Sequence, residues 1–189
     1  MKEQQLIKGC ENGESWAQKQ LYERYAPAML SLCMRYTGNR ENARDLLHDG
    51  FIKIFTKINT YTGTGSLAGW IRKIFVTTAL EFLRANNALR FSVDIEEYVD
   101  SIEDINISAF EQLSADDLLA CVARLPDGFR VIFNLHVVEG YSHAEIARML
   151  NIQESTSRSQ YYRARQILQK SVTYLNTIEP ARINIKYVI

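Results

Sequence analysis

Apolar positions return every three or four residues along most of the chain, a period that predicts helices. Residues 6–9 and 15–36 carry the first two. In the second, Trp16, Leu21, Tyr25, Met29, Leu32 and Met34 supply a broad apolar face, and Pro27 marks a kink or a new helix start. Asn39 is a good N-cap for a helix from about Arg40 to Ile58, with Leu47, Phe51, Ile54, Phe55 and Ile58 as its stripe. The stretch NTYTGTGSLAGW breaks the pattern with glycines and threonines. Ser66 is placed to cap the next helix, which runs to about Ala88 and buries Leu67, Trp70, Ile71, Ile74 and Phe75.

The helical period fades over residues 91–112, FSVDIEEYVDSIEDINISAFEQ, and resumes at SADDLLACVARL. There Ser114 is the N-cap, Asp117 follows three residues later, and Pro126 ends the helix. Asp127–Glu139 is another helix, closed by Gly140. Ser142 and Glu145 then form a full capping box ahead of a two-turn helix with Ile146, Met149 and Leu150 on its apolar side. Ala147 is small where a crossing helix must come close, and Asn151–Gln153 turns the chain with Ile152 at the corner. A second helix follows from Ser155 or Thr156 to Gln169, with Ala164, Ile167 and Leu168 inward. The last stretch, ARINIKYVI, alternates with a period of two and suggests a short extended tail.

These patterns predict an all-α chain of two small helical domains, residues 1–90 and 113–175, joined by a linker at 91–112 and followed by a tail at 176–189. Charge sharpens the picture. The formal net charge is zero, but it divides into +5 over residues 1–90, −7 over 91–112 and +2 over 113–189. Two mildly basic bodies flank one acidic strip, which keeps nucleic acid in view as a partner. The three cysteines, Cys10, Cys33 and Cys121, are far apart with no CxxC pair, and read as free thiols of a reducing cytosol. His48, His136 and His143 have no ligand spacing, so neither metal nor cofactor is expected. His136 reads as a packed or surface helix residue and His143 as an exposed first-turn residue. The N-terminus lacks the apolar stretch of a signal peptide, and no run is long enough to cross a bilayer, so the expected location is cytoplasmic.

The paired helices at 142–169 have the layout of a helix-turn-helix, whose second helix enters the DNA major groove. Ser155, Thr156, Arg158 and Ser159 offer hydroxyls and a guanidinium to bases and nearby phosphates, and Arg163 and Arg165 suit the backbone. A helical hairpin with a solvated basic face has the same physical pattern. Tyr161 and Tyr162 either cover a phosphate or pack on the preceding helix, with packing favoured. Upstream, Tyr61 in the glycine loop is a candidate for contact with an unpaired strand, Trp70 for core packing ahead of base stacking, and Arg72 and Lys73 for phosphates. No carboxylate is paired with a nucleophile or histidine at useful spacing, and neither GxxxxGK[ST] nor HExxH is present, so the chain is not expected to be an enzyme.

GYSHAEIARMLNIQESTSRSQYYRAR at 140–165, with LPDGFRVIF at 125–133 before it, resembles the −35-reading module of bacterial RNA polymerase sigma factors of the small extracytoplasmic-function class. LYERYAP at 21–27 and RYTGNRENARDLLHDGF at 35–51 resemble the same family's N-terminal module, and GTGSLAGWIRKIFVTTALEFLR at 63–84 resembles its melting and −10 segment. The absence of a middle domain between the two modules defines the small class. This resemblance implies docking on the polymerase β′ clamp through Asp45, His48, Asp49 and Lys53. It also implies −10 contacts from Tyr61, Arg72, Lys73, Arg84, Asn86 and Asn87, and −35 contacts from Ser155, Thr156, Arg158, Ser159, Arg163 and Arg165. The implied partners are core RNA polymerase, through β′ clamp and β flap, promoter DNA, and an anti-sigma factor able to hold the protein at a membrane. No membrane insertion of the chain itself is expected.

His48-Asp49 stands where the family commonly has Gln-Glu, but Asp45 and Asp49 keep a carboxylate-bearing face. Gly50 stands where the family has an apolar residue, at a cost of about 1 kcal/mol in helix propensity. The basic cluster at the end of the −10 helix is thinned to Arg84, Asn86, Asn87 and Arg90, the asparagines serving either as base contacts or as a cap. Two other classes share parts of the pattern: a stand-alone helix-turn-helix regulator, and a helical interaction protein that does not bind DNA.

Overall fold

The computed structural model describes residues 3–85 and 115–178, with side chains in the second segment from Leu119 to Ser171. All regular structure among the described residues is helical. The first segment contains α1 (Glu3–Glu11), α2 (Ser15–Thr37), α3 (Arg40–Lys57) with a 3₁₀ turn at Ile58–Thr60, and α4 (Leu67–Ala85). The second contains α5 (Ala115–Ala123), α6 (Asp127–Phe133) widening into a π-turn at Asn134–Val138, α7 (His143–Leu150) and α8 (Glu154–Ile178). By backbone proximity the chain divides into two compact units, at residues 87 and 88. The expected linker at 91–112, the Ser114 cap with Asp117, the continuation of α4 to Ala88 and the extended tail lie outside the described residues or side chains.

In the first unit, α2 continues as one helix through Pro27, which neither starts nor ends it. Leu21 and Tyr25 before the proline and Met29 and Leu32 after it are all buried, so tertiary packing holds both halves despite the missing N–H. Gly38 ends α2 at a left-handed φ of 63°, its N–H donating to the Met34 carbonyl at 2.9 Å. Asn39 then caps α3 as expected, its Oδ1 accepting from the Glu41 and Asn42 amides at 2.8 and 3.2 Å. Ser66 starts α4 by accepting from the Gly69 amide at 3.1 Å. Trp16, expected in the core, is half exposed, and its indole lies beside Gly9 of α1.

Tyr36, Leu46, Ile54, Ile58, Leu67, Ile71 and Phe75 are among the side chains fully withdrawn from water here. Phe51 sits between three rings, with centroids 4.6 Å from Tyr22, 6.0 Å from Phe55 and 5.4 Å from Phe75, the last edge-on. Trp70 and Ile74, expected inside, are only half-buried; Val76, Ala79, Leu80 and Leu83 complete the inner face of α4. Gly50 has a packing role. A methyl group there would collide with three carbons of the Phe75 ring, the farthest at 2.7 Å. The lost helix propensity at Gly50 is exchanged for an aromatic ring resting on the α3 backbone.

In the second unit Cys121, Val122, Leu125, Phe129, Ala164 and Leu168 form a core that Phe133 and Ile167 extend. The expected helix 127–139 changes pitch at Asn134: Glu139 N–H reaches back five residues to the Asn134 carbonyl, and Tyr141 N–H reaches the Leu135 carbonyl, both at 2.9 Å. This widened turn leaves Leu135 inside and places Val137 and Val138 in solvent. α8 extends nine residues beyond Gln169, since nothing between Lys170 and Ile178 is a glycine or proline. The three cysteines are free and buried, and burial pushes the Cys33 thiol up to about 12.

Gly50→Ala is expected to destabilise the first unit by about 1–3 kcal/mol, since overpacking outweighs the propensity gained. Urea unfolding measures this. Combined with Phe75→Leu, the loss should be smaller than the sum of the two single losses. A Gly50→Ala chain as stable as the parent would contradict the packing role.

Candidate nucleic-acid interface and docking face

The helix-turn-helix is set by local caps at both ends of α7. Ser142 Oγ accepts from the Glu145 amide at 3.3 Å, and Glu145 Oε2 accepts from the Ser142 amide at 2.8 Å. Ser142 Oγ also donates to Glu145 Oε2 at 2.7 Å, and the hydroxyl first and the Ser142 amide second hold the Glu145 carboxyl below its ordinary range. At the far end Asn151 takes a left-handed φ of 55°, and Ile152 N–H donates to the Ala147 carbonyl at 3.0 Å. The chain therefore turns within three residues and enters α8 at Glu154, one or two residues before the expected start at Ser155 or Thr156.

The inner face of α8 carries Ser157, Gln160, Ala164 and Leu168, all buried. Opposite them, at helical spacing, Ser155, Arg158, Ser159, Tyr162 and Arg165 form one exposed stripe. Thr156 and Arg163 flank it half-buried. Arg158 pairs with Glu154 one turn earlier, and both stay largely exposed, so the pair adds little stability and its guanidinium can be redirected. Ser159 Oγ donates to the Thr156 carbonyl at 3.0 Å. The two tyrosines divide. Tyr161 packs inward, its ring 6.4 Å from Phe133 and 4.7 Å from His136, whereas Tyr162 is 62% exposed at the centre of the stripe. The expectation of packing holds for the first and fails for the second. A run of two tyrosines does not say which faces out until the buried Ser157, Gln160 and Ala164 fix the rotation of the helix.

A buried arginine braces the base of this unit. Arg130, 5% exposed, donates to the Ala123 and Leu125 carbonyls at 3.2 and 2.7 Å and pairs with Asp127. It thus satisfies carbonyls at the C-terminal end of α5. Burial lowers its pKa, and the Asp127 carboxylate opposes that.

In the first unit Asp45, His48, Asp49 and Ile52 form an outward stripe on α3, with Ile52 49% exposed. Lys53 is set apart from them: its ammonium crosses to Glu81 of α4. At the glycine loop the Tyr61 hydroxyl donates to the Gly65 carbonyl at 2.9 Å, Gly63 and Gly65 have left-handed φ values, and the Tyr61 ring lies 5.6 Å from that of Trp70. Trp70, Lys73, Thr77 and Arg84 share one face of α4. Arg72 is half-buried on the other side, and Asn86 and Asn87 lie outside the described residues.

The family model for sigma-70 region 2 matches residues 21–89, and that for sigma-70 region 4 matches residues 115–168. The chain is 32% identical over 162 residues to the ECF RNA polymerase sigma factor SigE of Mycolicibacterium smegmatis, covering 82% of this chain and 60% of that protein. It is 26% identical over 180 residues to the ECF RNA polymerase sigma-E factor of Haemophilus influenzae, covering 90% of this chain and 95% of that one. The chain belongs to the sigma-70 family, in its extracytoplasmic-function class. Among solved structures, the Bartonella quintana sigma factor RpoE, crystallised with the anti-sigma factor NepR, shares the fold with a TM-score of 0.50. That likeness holds at 21% identity, over 82% of this chain and 96% of the other.

The all-α expectation holds across both matched regions. As a sigma factor, the chain is a non-catalytic initiation factor. No described helix is long and apolar enough to cross a membrane, and no group of three or more His, Cys, Asp or Glu among the described residues could hold a metal ion. Sequence reasoning missed three exposed residues on these faces. Glu154 was left out by placing the helix start too late, Tyr162 by assigning it to packing, and Ile52 because an apolar residue on a charged stripe carries no signal of its own.

Arg130→Leu is expected to lower the stability of the second unit by about 3 kcal/mol, by leaving two carbonyls and Asp127 without their donor. Arg130→Lys should recover only part, because an ammonium cannot fork between them. The midpoint of the C-terminal transition in urea reports both. A leucine variant within about 1 kcal/mol of the parent would show that water replaces the guanidinium.

Proposed function

We propose that the chain binds core RNA polymerase by docking the α3 stripe on the β′ clamp, opens and reads the −10 element with the Tyr61–Arg90 segment, and reads the −35 element with α8. Asp45, His48 and Asp49 would meet basic residues of the clamp, and the exposed Ile52 gives the charged stripe an apolar centre. Lys53 serves this face indirectly, by tying α3 to α4 through Glu81.

Tyr61 and Trp70 supply ring faces for an unpaired base, with Lys73 and Arg84 on the same side for phosphates. Arg72, on the other side of α4, is the weaker member of the set. On α8, Arg158 and Tyr162 are central and Ser155, Ser159 and Arg165 surround them, with Thr156 and Arg163 at the edge. The acidic residues of 91–112 would follow the basic channel of the polymerase between the two modules while avoiding promoter phosphates. The second unit would also meet the β flap, and an anti-sigma factor would mask the same faces.

The observation that carries this reading is the separation of faces in each matched region: an apolar side closed into the unit and an opposite side left exposed with carboxylates on α3, and with arginines, hydroxyls and a tyrosine on α8.

Purified core polymerase should retain the wild-type chain and lose Asp45→Arg/Asp49→Arg, both substitutions being on exposed positions. Arg158→Ala/Tyr162→Ala should still bind polymerase but lose about 1–3 kcal/mol of −35 discrimination in footprinting. Equal retention of the charge-reversed chain would place docking elsewhere. No retention of a folded wild-type chain would favour the stand-alone regulator.

A further inference from the structure

The joint between α7 and α8 contains a cluster that the outward stripe does not use. The His136 and His143 rings stack with centroids 4.2 Å apart and planes inclined by 24°. Tyr161 closes on them, edge-on to His136 at 4.7 Å and tilted to His143 at 5.6 Å. His136 Nδ1 lies 2.8 Å from the Tyr141 carbonyl, which can only accept, so that nitrogen carries the hydrogen. His143 Nδ1 lies 2.9 Å from Ser157 Oγ, and Ser157 is fully buried on the inner face of α8, next to Arg158. His143, expected to be exposed, is therefore half-buried where the π-turn, the first turn of α7 and the second turn of α8 meet.

This setting disfavours a proton on His143 from several directions. The ring is partly removed from water, His136 stacks on it, and Arg158 approaches from α8, with Glu154 acting the other way. Its position directly after the Ser142 cap also puts it at the positive end of α7. The resulting pKa is depressed, first by burial and then by His136 and Arg158.

We propose that His143 is a positioning residue that ties α8 to α7 through Ser157, and that this joint loosens when the half-buried ring, stacked on His136 and facing Arg158, takes up a proton, so that −35 binding weakens as the medium acidifies. The proposal rests on the promoter-reading role of α8. The closed joint prefers neutral His143, while an opened joint takes up a proton at the ordinary value of 6.5. The stabilisation is therefore complete above that pH and is lost as pH falls below it. A solvated histidine beside DNA has the opposite sign, since its proton adds a cation and strengthens phosphate binding.

The test compares the full-length chain with His143→Asn, which keeps a side-chain oxygen within reach of Ser157 but does not titrate. One readout is amide hydrogen exchange of residues 154–168 at pH 7.5 and 5.5, corrected for intrinsic rates. The other is affinity of the polymerase-bound chain for a −35 duplex selected from a randomised library at pH 7.5. In the wild type, exchange should rise and affinity fall several-fold on acidification, the direction that a depressed His143 pKa requires. In His143→Asn both should stay level. Ser157→Ala, which cuts the tie from the other side, should raise exchange at pH 7.5 towards the acid level of the wild type. An equal acid response in wild type and His143→Asn, or tighter DNA binding by the wild type at pH 5.5, overturns the proposal. If no duplex is selected at pH 7.5, the promoter-reading role fails, and the exchange comparison still decides whether the joint responds to a proton.

Discussion

The ring of Phe75 rests on the backbone of α3 at Gly50, and the geometry of the N-terminal unit follows from that contact. With no side chain at Gly50, α4 lies close enough to α3 for Phe51 and Phe75 to meet edge to face and for Lys53 to reach Glu81. Burying Gly50, Phe51 and Ile54 turns the opposite side of the same helix outward, and there Asp45, His48, Asp49 and Ile52 are found. A close helix–helix contact thereby fixes which carboxylates a partner can meet. It also explains how a residue that is poor for an isolated helix suits this one, since tertiary packing outweighs local propensity.

The C-terminal unit uses the same rule with different chemistry. Its second helix-turn-helix element, α8, is held by a partly polar inner face, Ser157 and Gln160 as well as Ala164 and Leu168, and Ser157 is satisfied from α7 by His143. Arg130 plays a comparable part at the base, filling carbonyls at the end of α5 from inside the core. Polar groups placed this way specify orientation more narrowly than apolar packing does, because each bond has a direction. That narrowness makes the α7–α8 joint sensitive to a single proton.

What the sequence made legible is what local chemistry controls. The Asn39 cap, the Ser142–Glu145 capping box and the turn at Asn151–Gln153 need only neighbouring residues, and each lies where the pattern places it. The family was legible for a related reason, since its motifs occupy the capped, turn-forming stretches. Features set by distant partners were not. Pro27 offered a helix start as well as a kink, and the start fails because nothing local reveals the buried face that carries α2 through it. Gly50 looked like a defect until Phe75, from another helix, was seen to occupy its missing side chain. Tyr162 and His143 were misassigned because burial depends on how each helix is rotated, which Ser157, Gln160 and Ala164 settle for α8, and Ile146, Ala147 and Leu150 for α7, only through contact with other elements. The changed pitch at Asn134 leaves no mark in the periodicity, since a single widened turn shifts it by only one residue.

Transcription from a linear promoter template by core polymerase, with and without the chain, tests the central claim most directly. The expected result is a defined start site that appears only when the chain is present, together with protection of the upstream −35 duplex that depends on Arg158 and Tyr162. Start sites that are the same in its absence, or initiation that proceeds unchanged after both α8 residues are replaced by alanine, would contradict it.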